Sequence, residues 1–175
     1  MDGKAAIKPL PPPEPAAESG TASLIRHGPG ALGLRLGLGP GRRPVGAIGQ
    51  LQVLLDAHSF WAQGRSIRQL RRMLRSSQAA VTVWEDRRLI GFGRATSDGV
   101  FRAVLWDVVV ADGFQGRGIG RRLVECLLKA PLVAATERTY LMTTNSGGFY
   151  GQLGFKNDHR QQLLLLERNG GEKSG

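Results

Sequence analysis

Cysteine is nearly absent. Cys126 is the only one in 175 residues, and a single thiol excludes any disulfide within the chain. Stability has to come from packing, and a 41% hydrophobic share over this length is enough for one ordinary core. Cys126 falls in the helical stretch 119–130 and reads as a small core residue rather than a nucleophile, since no histidine stands near it in sequence. Aromatic residues are few, 6% of the chain. That argues against a sheet face that stacks nucleobases, which interleaves aromatic and basic residues. Long apolar runs are missing, so no membrane-spanning helix is expected. The stretch from Lys4 to Leu10 lacks the continuous apolar segment of a signal peptide, and Asp2, Glu14 and Glu18 weigh against a transit peptide. The three histidines, His27, His58 and His159, are read in loops or the tail without metal-ligand spacing, so no metal is expected. Acids are scarce too, 14 against 24 lysines and arginines, for a net charge of +10. Such a surplus fits an anionic ligand, nucleic acid or simple solubility. The arginines cluster at Arg42-Arg43, 65–75, Arg87-Arg88 and 117–122, and most are expected on solvated faces.

Residues 1–22 are rich in Pro, Ala, Glu and Ser, a composition that cannot repay the entropy of ordering, and they read as a disordered tail. A domain over 23–168 and a flexible tail over 169–175 follow. Leu32, Leu34, Leu36 and Leu38 alternate with Gly and Arg, a weak strand signal that Gly39-Pro40-Gly41 ends. The spacing of Ile48, Leu51, Leu54 and Leu55 predicts a helix over 45–57. A second helix is predicted over 66–75, with Ser66 as N-cap. Phe60 and Trp61, in the link between the two, read as core plugs ahead of a substrate wall. Glu85-Asp86-Arg87 separates two strand runs, 79–84 and 88–96, and Ser97-Asp98-Gly99 leads to a third over 101–111. Pro131 stops the helix that comes next. Strands over 139–143 and 161–167 flank a short helix at 147–153. The order predicts an α+β fold with a mixed sheet and helices on its faces.

The most informative segment is WDVVVADGFQGRGIGRR, 106–122. An apolar strand through Val108, Val109 and Val110 runs into a turn, then Gln115-Gly116-Arg117-Gly118-Ile119-Gly120, then an amphipathic helix. Glycine lets a ligand approach the main chain. A helix start offers unpaired N–H groups and the positive end of the macrodipole, so the arrangement suits a pyrophosphate. Arg117, Arg121 and Arg122 add charge. In a dinucleotide fingerprint the third glycine would fall at Arg121, and a Walker loop would need Gly-Lys-Ser/Thr; neither fits.

The Q-G-R-G-I-G run instead resembles the acetyl-CoA pyrophosphate loop of the GNAT superfamily of N-acetyltransferases. Asn145 and the stretch Phe149-Tyr150-Gly151-Gln152-Leu153-Gly154-Phe155 resemble that family's late helix, with its tyrosine and closing Gly-Phe. The likeness spans residues 45–168. Residues 84–101, 106–110 and 140–146 are similar to the plant, plastid and cyanobacterial branch that includes serotonin N-acetyltransferase.

The resemblance implies a mixed, mostly antiparallel sheet flanked by helices and a splayed acetyl-CoA cleft. It implies acetyl-CoA as co-substrate and a primary amine as acceptor, with direct attack in a ternary complex. The cofactor is then expected on Val108, Val109, Val110, Gln115, Gly116, Arg117, Gly118, Ile119, Gly120, Arg121 and Asn145. Tyr150 is the expected acid to the leaving thiolate. Asp107 is either the base or a buried structural acid; Asp112 and Glu85 read as turn residues. Phe114 stands where some relatives have a tyrosine, so no second phenol is available. An arylalkylamine acceptor fits the branch; a protein lysine or N-terminal amine is the rival, and a non-catalytic acyl-CoA-binding or basic RNA-associated module is the rival of another class. The expected setting is cytoplasmic or, for a photosynthetic eukaryote, plastidic, with a monomer or homodimer, no membrane and no nucleic acid.

Overall fold

A computed structural model describes residues 21–144 and 146–167. The chain divides into two compact units, Met1–Tyr140 and Leu141–Gly175. The expected tails over 1–22 and 169–175 fall almost wholly outside the described residues.

The first unit is built on five strands in the order β1 to β5: Ser23–His27, Ala79–Glu85, Arg88–Ser97, Arg102–Val110 and Arg138–Tyr140. The first four pair antiparallel, and β5 joins β4 in parallel. Helices α1 (Leu32–Arg35), α2 (Ala47–His58) and α3 (Ile67–Arg75) lie between β1 and β2; α4 (Ile119–Leu128) and α5 (Pro131–Ala134) lie between β4 and β5. This is the mixed, mostly antiparallel α+β sheet that the sequence predicts. β2 is buried from Ala79 to Trp84 without alternation, because helices cover both faces of the sheet.

Local chemistry explains the turns. The β2–β3 hairpin closes on Asp86 at φ 51°, a left-handed position that aspartate tolerates better than most residues. Asp98 Oδ1 accepts the N–H groups of Val100, Phe101 and Arg102 at 2.9, 2.7 and 3.0 Å, which organises the β3–β4 turn and holds that carboxyl below its ordinary pKa. Ser66 caps α3: its hydroxyl accepts from Gln69 N–H while the Gln69 side chain accepts from Ser66 N–H. The core gathers Leu34, Leu51, Leu55, Leu70, Leu74, Trp84, Ile90, Phe92, Leu123 and Leu127, all fully buried.

Four expectations need correction. Of the leucine repeat at 32–38, Leu32–Arg35 forms helix α1, Leu38 makes only an isolated bridge with Pro44, and the first strand lies earlier, at Ser23–His27. Spacing of two on a helix turns about 200° per step. Leu34 therefore faces the core while Leu32 and Leu36 are exposed. Residues 161–167 form no strand and are exposed throughout; four leucines in a row carry no alternation to choose a face. Phe60 and Trp61 are not core plugs: they are 69% and 50% exposed. Among the histidines, His27 sits on β1 and His58 in the last turn of α2 rather than in loops. Cys126 is half-buried. Among the described residues no helix is long and apolar enough to cross a membrane.

Candidate active site

β4 carries the site. Its register with β3 slips by one residue: Arg94 faces Trp106 and Phe92 faces Val109, so Asp107 and Val108 together oppose Gly93. This is a β-bulge, and Asp107 occupies it at φ 53°, an uncommon conformation for a residue with a side chain. The Asp107 carboxylate is buried, with Arg94 Nε donating to one oxygen at 2.7 Å and Arg65 Nη1 to the other at 3.0 Å. On its far side β4 pairs with β5 only over Arg102, Ala103 and Val104. β5 ends there, and from Leu105 to Val110 that edge has no strand neighbour among the described residues.

A short 3₁₀ turn, Asp112–Phe114, takes the chain from β4 to the glycine loop. The Gln115 side chain donates to the Val110 carbonyl and to Asp112 Oδ1, both at 3.1 Å, and so fastens this turn. Gly116 and Gly118 both stand at φ 73°, which only glycine adopts freely. Gly118 is the N-cap of α4, where no side chain satisfies the first N–H groups and no acid stands in the first turn. Those donors are open to an anion. The helix itself is anchored from below by Ile119, Leu123, Val124 and Leu127, all buried. Gly93 is what lets it lie so low: a Cβ there would meet Leu123 Cδ2 at 2.6 Å.

The arginines around the loop differ in use. Arg117 and Arg88 each lie over the ring of buried Phe114, at 5.2 and 5.5 Å from its centroid. Arg121 pairs with Glu125 one turn on, and Arg122 reaches the Ala22 carbonyl at 3.5 Å. All three loop arginines are exposed, so each keeps donors for a phosphate.

Two groups escaped the sequence reading. His58 Nδ1 faces Asp112 Oδ1 at 3.4 Å without forming a hydrogen bond, and it is buried and unpartnered among the described residues. The Arg65–Asp107–Arg94 cluster joins positions 42 and 13 residues apart in sequence. An acid inside an apolar strand was the only local signal. The link between α2 and α3 carries Phe60 and Trp61, packed edge to face at 5.1 Å with both rings exposed. No group of three or more His, Cys, Asp or Glu side chains among the described residues could hold a metal ion.

The second unit holds helix α6, Gly147–Gly151, shorter than the expected 147–153. Gly154 at φ 89° closes it, and the Phe155 N–H returns to the Tyr150 carbonyl at 3.1 Å. Phe155 and Phe149 both meet the Tyr150 ring edge to face, at 5.9 and 4.9 Å. Burial pushes the Tyr150 phenol above its ordinary pKa. Asn145 lies outside the described residues.

Residues 76–157 match the acetyltransferase (GNAT) domain. Over 114 residues the chain is 32% identical to an uncharacterized N-acetyltransferase of Porphyra purpurea, covering 62% of this chain and 64% of that one. It is 38% identical over 99 residues to a chloroplastic serotonin N-acetyltransferase of Oryza sativa, covering 52% of this chain and 50% of that protein. A histone acetyltransferase of Glycine max is 43% identical over 75 residues, 42% of this chain but 32% of that protein. The chain thus spans about a third of the length of the soybean protein and half of the rice one. Among solved structures, a GNAT-family acetyltransferase of Streptococcus pneumoniae superposes with a TM-score of 0.64 over 85% of this chain and all of its own, at 16% identity.

Proposed function

We propose, from the premise that this chain is a GNAT-family N-acetyltransferase, that it moves an acetyl group from acetyl-CoA to a primary amine by direct attack in a ternary complex. The observation that carries this is the uncapped glycine-rich start of α4 placed directly after a bulged strand with an open edge. The pyrophosphate would lie on the N–H groups of residues 116–121, with Arg117, Arg121 and Arg122 around it. The thioester carbonyl would take N–H groups of β4 in the region of Val108, Val109 and Val110.

The thioester is already activated, so no covalent enzyme intermediate is needed. The amine enters neutral and its nitrogen attacks the carbonyl carbon. The oxygen gains negative charge and is held by backbone donors. The nitrogen then gives up a proton to solvent or a base, the C–S bond breaks, and Tyr150 donates its phenolic proton to the thiolate. A phenol kept protonated by burial suits that role. Asp107 is a base or a structural acid; its two arginines engage both oxygens, which favours the structural role. Asn145 is proposed beside the pantetheine arm on the resemblance alone.

The acceptor we propose is an arylalkylamine such as tryptamine or serotonin. The exposed Phe60–Trp61 pair supports it, since it offers a flat amine an aromatic wall worth about 0.5–1.5 kcal/mol beyond burial. The rice relative is named for serotonin and the soybean one for histones, so a protein amine is the second reading. The names of the rice and Arabidopsis relatives place those proteins in the chloroplast, and a plastid is one of the settings proposed for this one. The test is calorimetry with acetyl-CoA, followed by kcat/KM for tryptamine and for a lysine-containing peptide, measured by thiol release at matched pH. Preference for the peptide overturns the arylalkylamine reading and leaves acetyl transfer intact. Absence of acetyl-CoA binding overturns the whole reading.

A further inference from the structure

Asp107 is unusual three times over. It is an acid in an apolar strand, it is buried, and its backbone is left-handed. A side chain holds such a conformation only when its surroundings over-determine it. On β3 the bulge faces Gly93, which has no side chain to brace it. The bracing comes from two guanidiniums. Arg94 stands next to Gly93 on β3, donates from Nε to Asp107 Oδ2 at 2.7 Å, and is itself held over the Trp106 ring at 5.6 Å. That pair lies within the sheet and already neutralises the carboxylate.

Arg65 is therefore surplus to charge balance, yet it donates to the other oxygen at 3.0 Å. It comes from a different element, the link between α2 and α3 that also carries Phe60 and Trp61. Four side-chain bonds tie that link back to α2: Ser59 Oγ donates to the Leu55 carbonyl at 2.7 Å, Gln63 Nε2 to the Asp56 carbonyl at 3.1 Å, Gly64 N–H to Asp56 Oδ1 at 2.8 Å, and Gln52 Nε2 to the Arg65 carbonyl at 2.9 Å. None reaches β4. The Arg65 guanidinium does, while a second contact runs from the same Nη1 to Met73 Sδ at 3.6 Å.

Resting on the acetyltransferase reading, we propose that Arg65 is a positioning residue: it ties the aromatic link between α2 and α3 to the β4 bulge and so sets where an acceptor amine stands relative to the thioester. Arg94 and Asp107 keep the bulge; Arg65 keeps the acceptor side in register with it. Losing Arg65 leaves the Asp107–Arg94 pair and the glycine loop as they are, so acceptor placement is hurt and cofactor binding is not.

The experiment compares Arg65→Gln and Arg65→Lys with the unaltered protein. Arg65 is partly exposed, and both variants keep a long polar side chain, which favours folding. The expected result for Arg65→Gln is a rise of about tenfold in acceptor KM with kcat changed less than about threefold and acetyl-CoA affinity by calorimetry unchanged. Arg65→Lys recovers part of the loss, because one charged donor reaches the same oxygen. An unchanged acceptor KM in a folded Arg65→Gln protein that still binds acetyl-CoA and turns over overturns the positioning role. So does an equal loss of acetyl-CoA affinity, which would mark a general collapse of the sheet. If the unaltered protein transfers no acetyl group to any amine, the acetyltransferase reading fails first, and this proposal with it.

Discussion

Two glycine-rich segments feed short helices in this protein, and they are built on opposite terms. In the first, Gly116 and Gly118 turn the chain into α4, a ten-residue helix with four side chains buried in the core. In the second, Ser146 leads into α6, a five-residue helix that starts on Gly147-Gly148, has no buried residue, and is held by a glycine closure and by the Tyr150 ring packed edge to face on Phe149 and Phe155. A helix of five residues has almost no intrinsic stability. The first segment offers open backbone donors, which carry no side-chain chemistry and need only a rigid mount. The second offers one titratable phenol, whose chemistry resides in the side chain. Rigidity is concentrated where the backbone is the functional group.

Replacing Tyr150 by phenylalanine breaks the comparison most sharply. It keeps the ring and its two aromatic partners and removes the proton. kcat is expected to fall about 10²–10⁴-fold with acetyl-CoA affinity unmoved; an unchanged kcat where chemistry limits turnover removes Tyr150 as the acid. Next in size is the difference in mounting. Leu123→Ala, in the fully buried foot of α4, should cost about 2–5 kcal/mol in urea unfolding. Phe149→Ala, in half-buried α6, should cost clearly less; equal losses would mean that both helices are core elements. Third, Gly118→Val places a branched side chain at φ 73°, and Gly120→Val places one in the first turn of α4. Each should weaken acetyl-CoA binding at least about tenfold, or ~1.4 kcal/mol, with the circular dichroism spectrum retained. Unaltered affinity in both folded variants would show that the loop is not the pyrophosphate cradle. The smallest effect is a shift along the pH axis. Burial raises the Tyr150 phenol above its ordinary pKa of about 10. The acid form therefore persists past that pH, and kcat should hold through it and bend down only beyond. The unfolded chain ionises first, so this phenol's contribution to stability is complete below about pH 10 and is lost as pH rises toward the folded value. A kcat that declines well below pH 10 would contradict this.

The glycine loop, the hairpin at Asp86 and the N-cap at Ser66 were legible because each is a local code: glycines ahead of a helix, a short polar turn, a hydroxyl just before a helical apolar period. The alternating leucines at 32–38 misled because period two also describes a helix that shows one leucine inward and its neighbours outward. Phe60 and Trp61 were assigned inside on size alone, and size does not say whether the space is available. The pairing of Asp107 with Arg65 and Arg94 left no trace in spacing, since a bulge and a helix link bring together residues that no periodicity relates. His58 against Asp112 is the same case, two polar residues 54 positions apart meeting at the end of β4.

The seat of α4 on β3 has one more consequence. Leu123 occupies the volume that a side chain at position 93 would fill, and Leu127 Cδ1 stands 3.0 Å from the same point. The height of α4 above the sheet is thus set by a missing methyl group. Positions 93 and 123 are coupled through that contact: an alanine at 93 has to be met by a turned or smaller side chain at 123, or by a raised α4.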